Sequence, residues 1–131
     1  PELPARMLAR FTLIDYDREM PLVAVFKERN AAADGQFTET ERIVGVSRYI
    51  TNPDRTSCEF SLVVADDFKG KGLGSRLMLS IMDFAREKGL EEIEGLVLAN
   101  NPNMLKLMKS LGFVVKSFAE DADFKLVSQA L

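Results

Sequence analysis

Three glycines in alternate positions, Gly70, Gly72 and Gly74, follow an apolar run and open an amphipathic helix, with Lys69 and Lys71 beside them. Glycine tolerates positive φ and lets a ligand come close to the main chain. The free N–H groups of a first helical turn, together with the helix dipole, favour a bound anion. The loop therefore predicts a site for a phosphorylated ligand.

Two well-known phosphate motifs do not match this loop. A P-loop has Gly-Lys-Ser or Gly-Lys-Thr after its second glycine, and the sequence around Gly72 lacks that triplet. A dinucleotide-binding fingerprint fits poorly, because the glycines are evenly spaced and no parallel repeat of strands precedes them. A glycine-softened turn between a strand and a helix, without a ligand, is the alternative interpretation.

Glu59 is a carboxylate in the middle of a segment, residues 57–65, that otherwise predicts an apolar strand. Alternation along a strand places Glu59 on one face with Ser61 and Val63, and Cys58 on the other. Because the chain has no histidine, any general base must be a carboxylate, a perturbed lysine or tyrosine, or ordered water, and Glu59 is a candidate. The alternative is a solvated or ion-paired glutamate near a strand end.

The composition excludes several kinds of chemistry. The 131 residues contain no histidine and one cysteine, which excludes histidine-based triads, Cys–His dyads and histidine metal sites, and we expect no metal. The net charge of −3 is scattered, and no segment has membrane-spanning length, so neither nucleic acid nor a membrane is an expected partner. The lone Cys58 favours a reducing cytoplasm. We expect one domain over residues 1–131, cut from a longer chain because it begins with Pro1.

Apolar periodicity predicts the elements that hold these residues in place. The predicted order is a helix over the first dozen residues, strands over 20–26, 43–50 and 57–65, a helix from Leu73 closed by Gly89, a strand over 93–99, a helix ended by Gly112, and a hairpin over 113–118 and 123–127. Residues 30–40 predict a loop. This order predicts a mixed α/β (α+β) sheet in one domain.

The arrangement from residue 20 to the C-terminus resembles the GNAT acyltransferase superfamily. The resemblance is carried by the apolar strand, the acidic turn, Lys69-x-x-Gly72-x-Gly74, the long helix, Asn101 after the next strand, and Leu111-Gly112-Phe113. A narrower resemblance, to bacterial protein lysine acetyltransferase domains fused to ADP-forming acyl-CoA synthetase-like regions, is carried by residues 11–20, 57–60 and 64–67.

The resemblance implies a mostly antiparallel sheet, splayed at its central strands and flanked by helices, with the first strand and helix missing. It implies acetyl-CoA as co-substrate, with its pyrophosphate held by Lys69, Gly70, Lys71, Gly72, Leu73, Gly74 and Ser75. Backbone groups of Leu62, Val63 and Val64 would pair with the pantetheine arm. Asn101 would contact that arm, although an N-cap before Pro102 is the alternative interpretation.

Two positions depart from the family pattern, and a third is weighed as an alternative nucleophile. Lys69 stands where glutamine or arginine is usual, so it keeps a charge and loses bidentate geometry. Met108 stands where many members have a tyrosine acid, and it predicts a core residue. Cys58 is disfavoured as an acylated nucleophile, because alternation places it in the core and it has no histidine partner.

The implied reaction is acetyl transfer to a protein lysine by direct attack in a ternary complex, with Glu59 as base and a substrate such as an acyl-CoA synthetase. A GNAT enzyme acting on a small-molecule amine and a non-catalytic acyl-CoA-binding regulatory module are the alternatives. If the first strand is missing, strand 20–26 has an open edge, through which a homodimer could form.

Overall fold

Seven strands form one sheet in the part of the chain that the computed structural model describes, residues 7–11 and 18–131. The strands are β1 (Met7–Phe11), β2 (Glu19–Ala31), β3 (Phe37–Thr51), β4 (Ser57–Val64), β5 (Glu92–Leu98), β6 (Val114–Ser117) and β7 (Phe124–Ala130). Their spatial order is β1-β2-β3-β4-β5-β7-β6, and only the β4–β5 pair is parallel. The predicted mixed, mostly antiparallel α+β fold is confirmed.

Two α-helices of the described residues connect strands of this sheet. Helix α1 (Leu73–Glu87) joins β4 to β5, and helix α2 (Pro102–Ser110) joins β5 to β6. Gly89 and Gly112 stand just past the two helices with φ of 82° and 94°, a conformation that favours glycine, so both predicted helix ends are confirmed.

The core lies between α1 and one face of the sheet, which we call the α1 face. The helical spacing of Leu73, Leu77, Ile81 and Phe84 predicts one apolar stripe on α1; the first three are buried, and Phe84 is half-buried against the core. Gly45 lets the helix approach β3 closely, because a Cβ at this position would lie 2.8 Å from Leu77 Cδ1. The buried Ser47 hydroxyl donates to the Leu77 carbonyl at 3.1 Å, which ties the same two elements together.

The predicted N-terminal helix is wrong where the structure describes it. Met7–Phe11 is a strand that pairs antiparallel with β2, Met7 opposite Phe26 and Phe11 opposite Leu22. So short a helix is marginal by itself, whereas pairing satisfies the backbone groups along the edge of β2. The rest of the predicted helix lies outside the described residues.

This pairing corrects two further expectations. A strand does precede β2, contrary to the expected lack of a first strand, and the edge of β2 is covered from Leu22 to Phe26. A homodimer through that edge therefore loses its structural basis.

The predicted loop over residues 30–40 is also wrong over most of its length. Strands β2 and β3 continue as a long hairpin to the pair Ala31 and Phe37, which leaves only residues 32–36 as the loop. Charged pairs, such as Lys27 Nζ with Glu41 Oε1 at 3.7 Å, line this arm. Because its side chains are exposed on both faces, the arm lacks the apolar alternation that predicts a strand.

Within the described residues, neither helix is long and apolar enough to cross a membrane.

Candidate active site

A cleft opens where β4 and β5 part. The two strands pair in parallel only over Ser57–Glu59 and Glu92–Glu94, and beyond Glu59 no pairing joins them. The Phe60 ring occupies the α1 face at this point, packed at 5.5 Å from the Phe113 ring. Gly95 makes room for it, since a Cβ on Gly95 would lie 2.5 Å from Phe60 Cε2. The splay predicted for the central strands is therefore present.

Glu59 stands at the vertex of this cleft. It is the last residue of β4 that pairs with β5, with Ile50 opposite on β3 and Glu94 opposite on β5. Cys58 and Phe60 are buried, whereas Glu59 and Ser61 are exposed, so the predicted alternation is confirmed. The carboxylate therefore points away from the core, on the face opposite α1, where a second substrate can reach it.

The start of β4 is held by the turn that precedes it. The Asp54 carboxylate accepts hydrogen bonds from the N–H groups of Thr56 and Ser57 at 2.9 and 3.0 Å. These bonds lower the pKa of Asp54. Asn52 Nδ2 donates to the Ser57 hydroxyl at 2.8 Å, so the strand that carries Glu59 begins from a fixed turn.

Glu94 also lies at the vertex, although it was not predicted as a site residue from the sequence. It is half-buried, and its pKa is raised by burial first and then by the charges of Glu92, Glu59 and Asp54. Its position opposite Glu59 follows from the parallel register. A cluster of carboxylates therefore surrounds the vertex on its exposed face.

The edge of β4 that faces the cleft presents main-chain groups. Ala65 N–H donates to the Val44 carbonyl at 2.8 Å, which fixes the direction of the β3–β4 ladder. Because alternate residues of an antiparallel ladder bond to the same neighbour, Val63 bonds toward β3. The N–H and C=O groups of Leu62 and Val64 then point into the cleft. Of the three residues expected to pair with a pantetheine arm, these two are oriented for it.

The glycine loop stands at the far end of β4, as the sequence predicts. A short 3-10 helix (Asp66–Phe68) follows Ala65, and Gly70 and Gly72 then take φ of 76° and 81°. The first bond inside α1 runs from Arg76 N–H to the Gly72 carbonyl at 3.2 Å. The N–H groups of residues 73–75 precede that bond and are available to an anion.

Gly74, Lys69 and Lys71 of the loop make different contacts. Gly74 lies inside the first turn of α1, where a Cβ would be 3.0 Å from Leu107 Cδ2, so its lack of a side chain lets α1 approach α2. Lys69 Nζ lies 2.9 Å from Asp66 Oδ1, and Lys71 Nζ lies 5.1 Å from the centre of the Phe68 ring. Both lysines thus lie beside the glycines, as predicted, although carboxylate and ring contacts already engage them.

Asn101 is the N-cap of α2. Its Oδ1 accepts the Met104 N–H at 3.2 Å, and Pro102 occupies the first turn, so the capping interpretation is confirmed. The predicted contact between Asn101 and the cofactor arm stays a prediction.

Substituting Asn101 separates these two roles. Asn101→Ala should lower the free energy of unfolding by about 1 kcal/mol through the lost cap, whereas Asn101→Ser should retain most of it. Urea unfolding followed by circular dichroism measures both. If Asn101 also contacts the ligand, Asn101→Ser should bind acetyl-CoA more weakly at nearly normal stability; unchanged affinity would assign the residue to the cap alone.

Met108, Cys58 and Tyr49 lie in the core. Met108 is fully buried, as predicted. Burial raises the pKa of the Cys58 thiol to about 12, with a further contribution from Glu94, so the nucleophilic thiolate is scarce at neutral pH. Burial also raises the pKa of Tyr49 to about 12, and its side chain lies on the α1 face, away from Glu59.

Among the residues with described positions, no group of three or more histidine, cysteine, aspartate and glutamate side chains is arranged to hold a metal ion.

A sheet splayed at its parallel pair, with a glycine-rich turn and a helix start at the end of one splayed strand, is typical of one class of acyltransferase folds. Residues 5–113 match the model of the Acetyltransferase (GNAT) family, and the chain belongs to that family. Its members are acetyltransferases whose acyl donor is acetyl-CoA.

Three similar proteins are named acetyltransferases or acyltransferases. The chain is 33% identical over 121 residues to the acetyltransferase PA5475 of Pseudomonas aeruginosa, covering 92% of this chain and 60% of the relative. It is 37% identical over 59 residues to the acetyltransferase Pat of Mycolicibacterium smegmatis, covering 45% and 18%. It is 39% identical over 61 residues to the L-amino acid N-acyltransferase MnaT of Escherichia coli, covering 47% and 36%.

A solved structure agrees with the fold. The GNAT domain of S. lividans PAT superposes with a TM-score of 0.71 at 22% identity, covering 92% of this chain and 65% of that domain. The chain thus spans about two-thirds or less of these proteins.

Proposed function

We propose that this chain transfers the acetyl group of acetyl-CoA to a lysine side chain of a protein, with Glu59 as the general base. The observation that carries the proposal is the position of Glu59 on β4. It lies at the vertex of the cleft, while the anion-binding loop begins at the other end of the same strand. One strand therefore connects a site for the donor's phosphates to a site for its reactive end.

The cleft fits an extended cofactor arm. From Glu59 to Ala65 the strand rises by about 20 Å at 3.3 Å per residue. Along this length Leu62 and Val64 offer main-chain donors and acceptors, and the amide groups of a pantetheine arm are complementary to them. The open N–H groups of residues 73–75, with Lys69 and Lys71 nearby, suit the pyrophosphate.

Transfer in this arrangement needs no covalent enzyme intermediate. The neutral amine attacks the thioester carbonyl carbon, a C–N bond forms, the C–S bond breaks, and CoA departs as the thiolate. Glu59 takes the proton that the amine loses, directly or through one water molecule. Holding both substrates in the cleft supplies the proximity and orientation that acyl transfer requires.

The electrostatics of the vertex favour a cationic acceptor. Glu94 lies beside Glu59, and its pKa is raised by burial and by the neighbouring charges of Glu92, Glu59 and Asp54. An incoming ammonium group is attracted to these carboxylates, and it offsets their mutual repulsion. The resemblance of residues 11–20, 57–60 and 64–67 to protein lysine acetyltransferase domains supports a protein, such as an acyl-CoA synthetase, as the acceptor within this class.

A small-molecule amine is the second candidate acceptor. The relative MnaT is named an L-amino acid N-acyltransferase, and its match covers 47% of this chain. The acidic vertex does not distinguish a free amino acid from a lysine side chain. The two candidates differ in what binds around the vertex: the surface of a protein in the first case, and the rest of a small molecule in the second.

An acceptor screen tests the proposal. The chain would be incubated with ¹⁴C-acetyl-CoA and either an acyl-CoA synthetase or a panel of free amino acids and polyamines. Label retained on the protein at a lysine, located by mass spectrometry, supports the proposal. Label transferred only to small amines would select the second candidate, and hydrolysis of acetyl-CoA without transfer would contradict both.

Glu94→Gln tests the electrostatic part of this proposal. The substitution removes one carboxylate from the vertex and keeps the side-chain shape, so we expect the KM for the amine to rise about three- to tenfold. The dissociation constant for acetyl-CoA should stay unchanged, because Glu94 lies beside Glu59, at the opposite end of the cleft from the loop. Steady-state kinetics at saturating acetyl-CoA measures the first, and an unaltered amine KM would remove Glu94 from acceptor binding.

A further inference from the structure

An ion pair joins strand β3 to the segment that leads into the glycine loop. Arg42 Nη1 donates to Asp67 Oδ2 at 2.7 Å, and Arg42 Nη2 donates to Asp67 Oδ1 at 2.5 Å. This is the two-point geometry in which guanidinium and carboxylate planes match. It fixes the orientation of the Asp67 side chain as well as its distance from β3.

The neighbouring Phe68 anchors the same segment from below. Its ring is buried, packs at 5.3 Å from the Phe26 ring, and lies under the Arg42 guanidinium at 5.6 Å and the Lys71 ammonium at 5.1 Å. Arg42 therefore contacts two consecutive residues, Asp67 by hydrogen bonds and Phe68 by a cation–π contact. Together these contacts hold the 3-10 helix against β2 and β3.

This pair is more important for geometry than for overall stability. Both side chains are about half exposed, at 54% and 57%, and exposed ion pairs add little to the stability of a fold. The chain continues from Phe68 through Gly70 and Gly72, two residues with positive φ that have no side chain to fix the path of the loop. The direction of the loop's N–H groups thus depends on where residues 66–68 are held.

We propose that Arg42 is a positioning residue for acyl-CoA binding, acting through Asp67 and Phe68 on the glycine loop. The inference rests on the proposed function, because it takes the loop to be the pyrophosphate site. Arg42 itself contacts no reacting atom in this role. Its loss should weaken binding of the donor and leave the chemical step intact.

Asp67 supplies the test that separates positioning from simple charge. Asp67→Asn removes a negative charge from beside an anion site, so electrostatics alone predicts tighter binding of acetyl-CoA. Loss of the two-point bond to Arg42 predicts the opposite. We expect Asp67→Asn and Arg42→Gln each to raise the dissociation constant for acetyl-CoA about five- to tenfold, since both free the same segment. The double variant should be no worse than either single one.

The measurements are titration calorimetry with acetyl-CoA and steady-state kinetics with two donors. The KM for acetyl-CoA should rise in Arg42→Gln with little change in kcat. S-acetylpantetheine has no pyrophosphate, so its kcat/KM should be the same in the variant and the wild type. Arg42→Lys keeps the charge without the two-point geometry and should behave like Arg42→Gln. Arg86→Gln is the matched control, because Arg86 and Asp83 form an exposed pair at 2.9 Å far along α1.

Each result decides the inference. Tighter or unchanged binding by Asp67→Asn would overturn it, and so would wild-type affinity in Arg42→Gln. Weaker binding by Arg42→Gln with normal binding by Asp67→Asn would also overturn it, because Arg42 would then contact the ligand directly. Failure of the wild-type chain to bind acetyl-CoA would instead reject the proposed function, so the two failures are distinguishable.

Discussion

Replacing Glu59 with glutamine should lower kcat for acetyl transfer by about 10²- to 10⁴-fold, the usual contribution of a positioned general base. Glutamine has nearly the same shape but cannot take a proton from the amine. Because Glu59 stands at the vertex and not at the glycine loop, the dissociation constant for acetyl-CoA should stay within twofold of the wild-type value. Single-turnover kinetics with saturating donor, together with calorimetric titration, measures both quantities.

The outcome also distinguishes an enzyme from a binding module. Glu39→Gln is the matched control, since Glu39 is likewise an exposed strand glutamate but lies on the β2–β3 hairpin, away from the cleft. Its kcat should equal that of the wild type. Unchanged turnover in Glu59→Gln would remove Glu59 from the mechanism. Acetyl-CoA binding by a wild-type chain that acetylates no amine would instead favour a non-catalytic regulatory role.

Gly70→Ala should weaken acetyl-CoA binding by about ten- to a hundredfold, since a displacement of about 1 Å in a binding group can cost that much. Gly70 has a φ of 76°, and an alanine there is strained whatever space surrounds it. The loop would relieve that strain by turning its N–H groups away from the pyrophosphate. Calorimetric titration measures the affinity, and urea unfolding measures the stability.

Gly35→Ala provides a close control. Gly35 has a φ of 82°, and a Cβ at either glycine would meet nothing within 4 Å, so the two substitutions impose the same backbone strain and no clash. Both should lower the free energy of unfolding by about 1 kcal/mol. Only Gly70→Ala should affect the ligand. Equal acetyl-CoA affinity in both variants would show that the loop does not bind the pyrophosphate.

Much of the fold follows from local patterns in the sequence. The alternation around Glu59 correctly separated the exposed from the buried side of β4, because one face of that strand packs against α1. The α1 stripe and the closing Gly89 were equally informative, since helical spacing and a positive-φ glycine are short-range signals. The glycine loop, the cap at Asn101 and the core position of Met108 could all be assigned in the same way.

The errors occur where tertiary pairing decides the structure. Met7–Phe11 has apolar residues at helical spacing but becomes a strand because it pairs with β2. The outer arm of the β2–β3 hairpin is exposed on both faces, so its pairing left no hydrophobic alternation to detect. In both regions the partner strand supplies the backbone hydrogen bonds, and a one-dimensional pattern does not contain that information.

The sequence did not indicate Glu94 or Arg42 as site residues, because their positions depend on contacts between segments that are distant in the chain. Glu94 gains its place beside Glu59 only from the register of the parallel β4–β5 pair. Arg42 reaches Asp67 across an intervening turn and strand. A glutamate in an otherwise apolar strand segment indicated Glu59. Glu94, in residues 92–98, shows the same pattern, and this pattern was the signal that could have identified it.

Calorimetric titration of the wild-type chain with acetyl-CoA tests the central claim most directly, namely that the β4–β5 cleft and the glycine loop together bind an acyl-CoA. We expect one molecule of acetyl-CoA per chain, with an affinity that Gly70→Ala lowers and Glu59→Gln leaves unchanged. The absence of binding at millimolar acetyl-CoA, in a chain shown to be folded by circular dichroism, would contradict it.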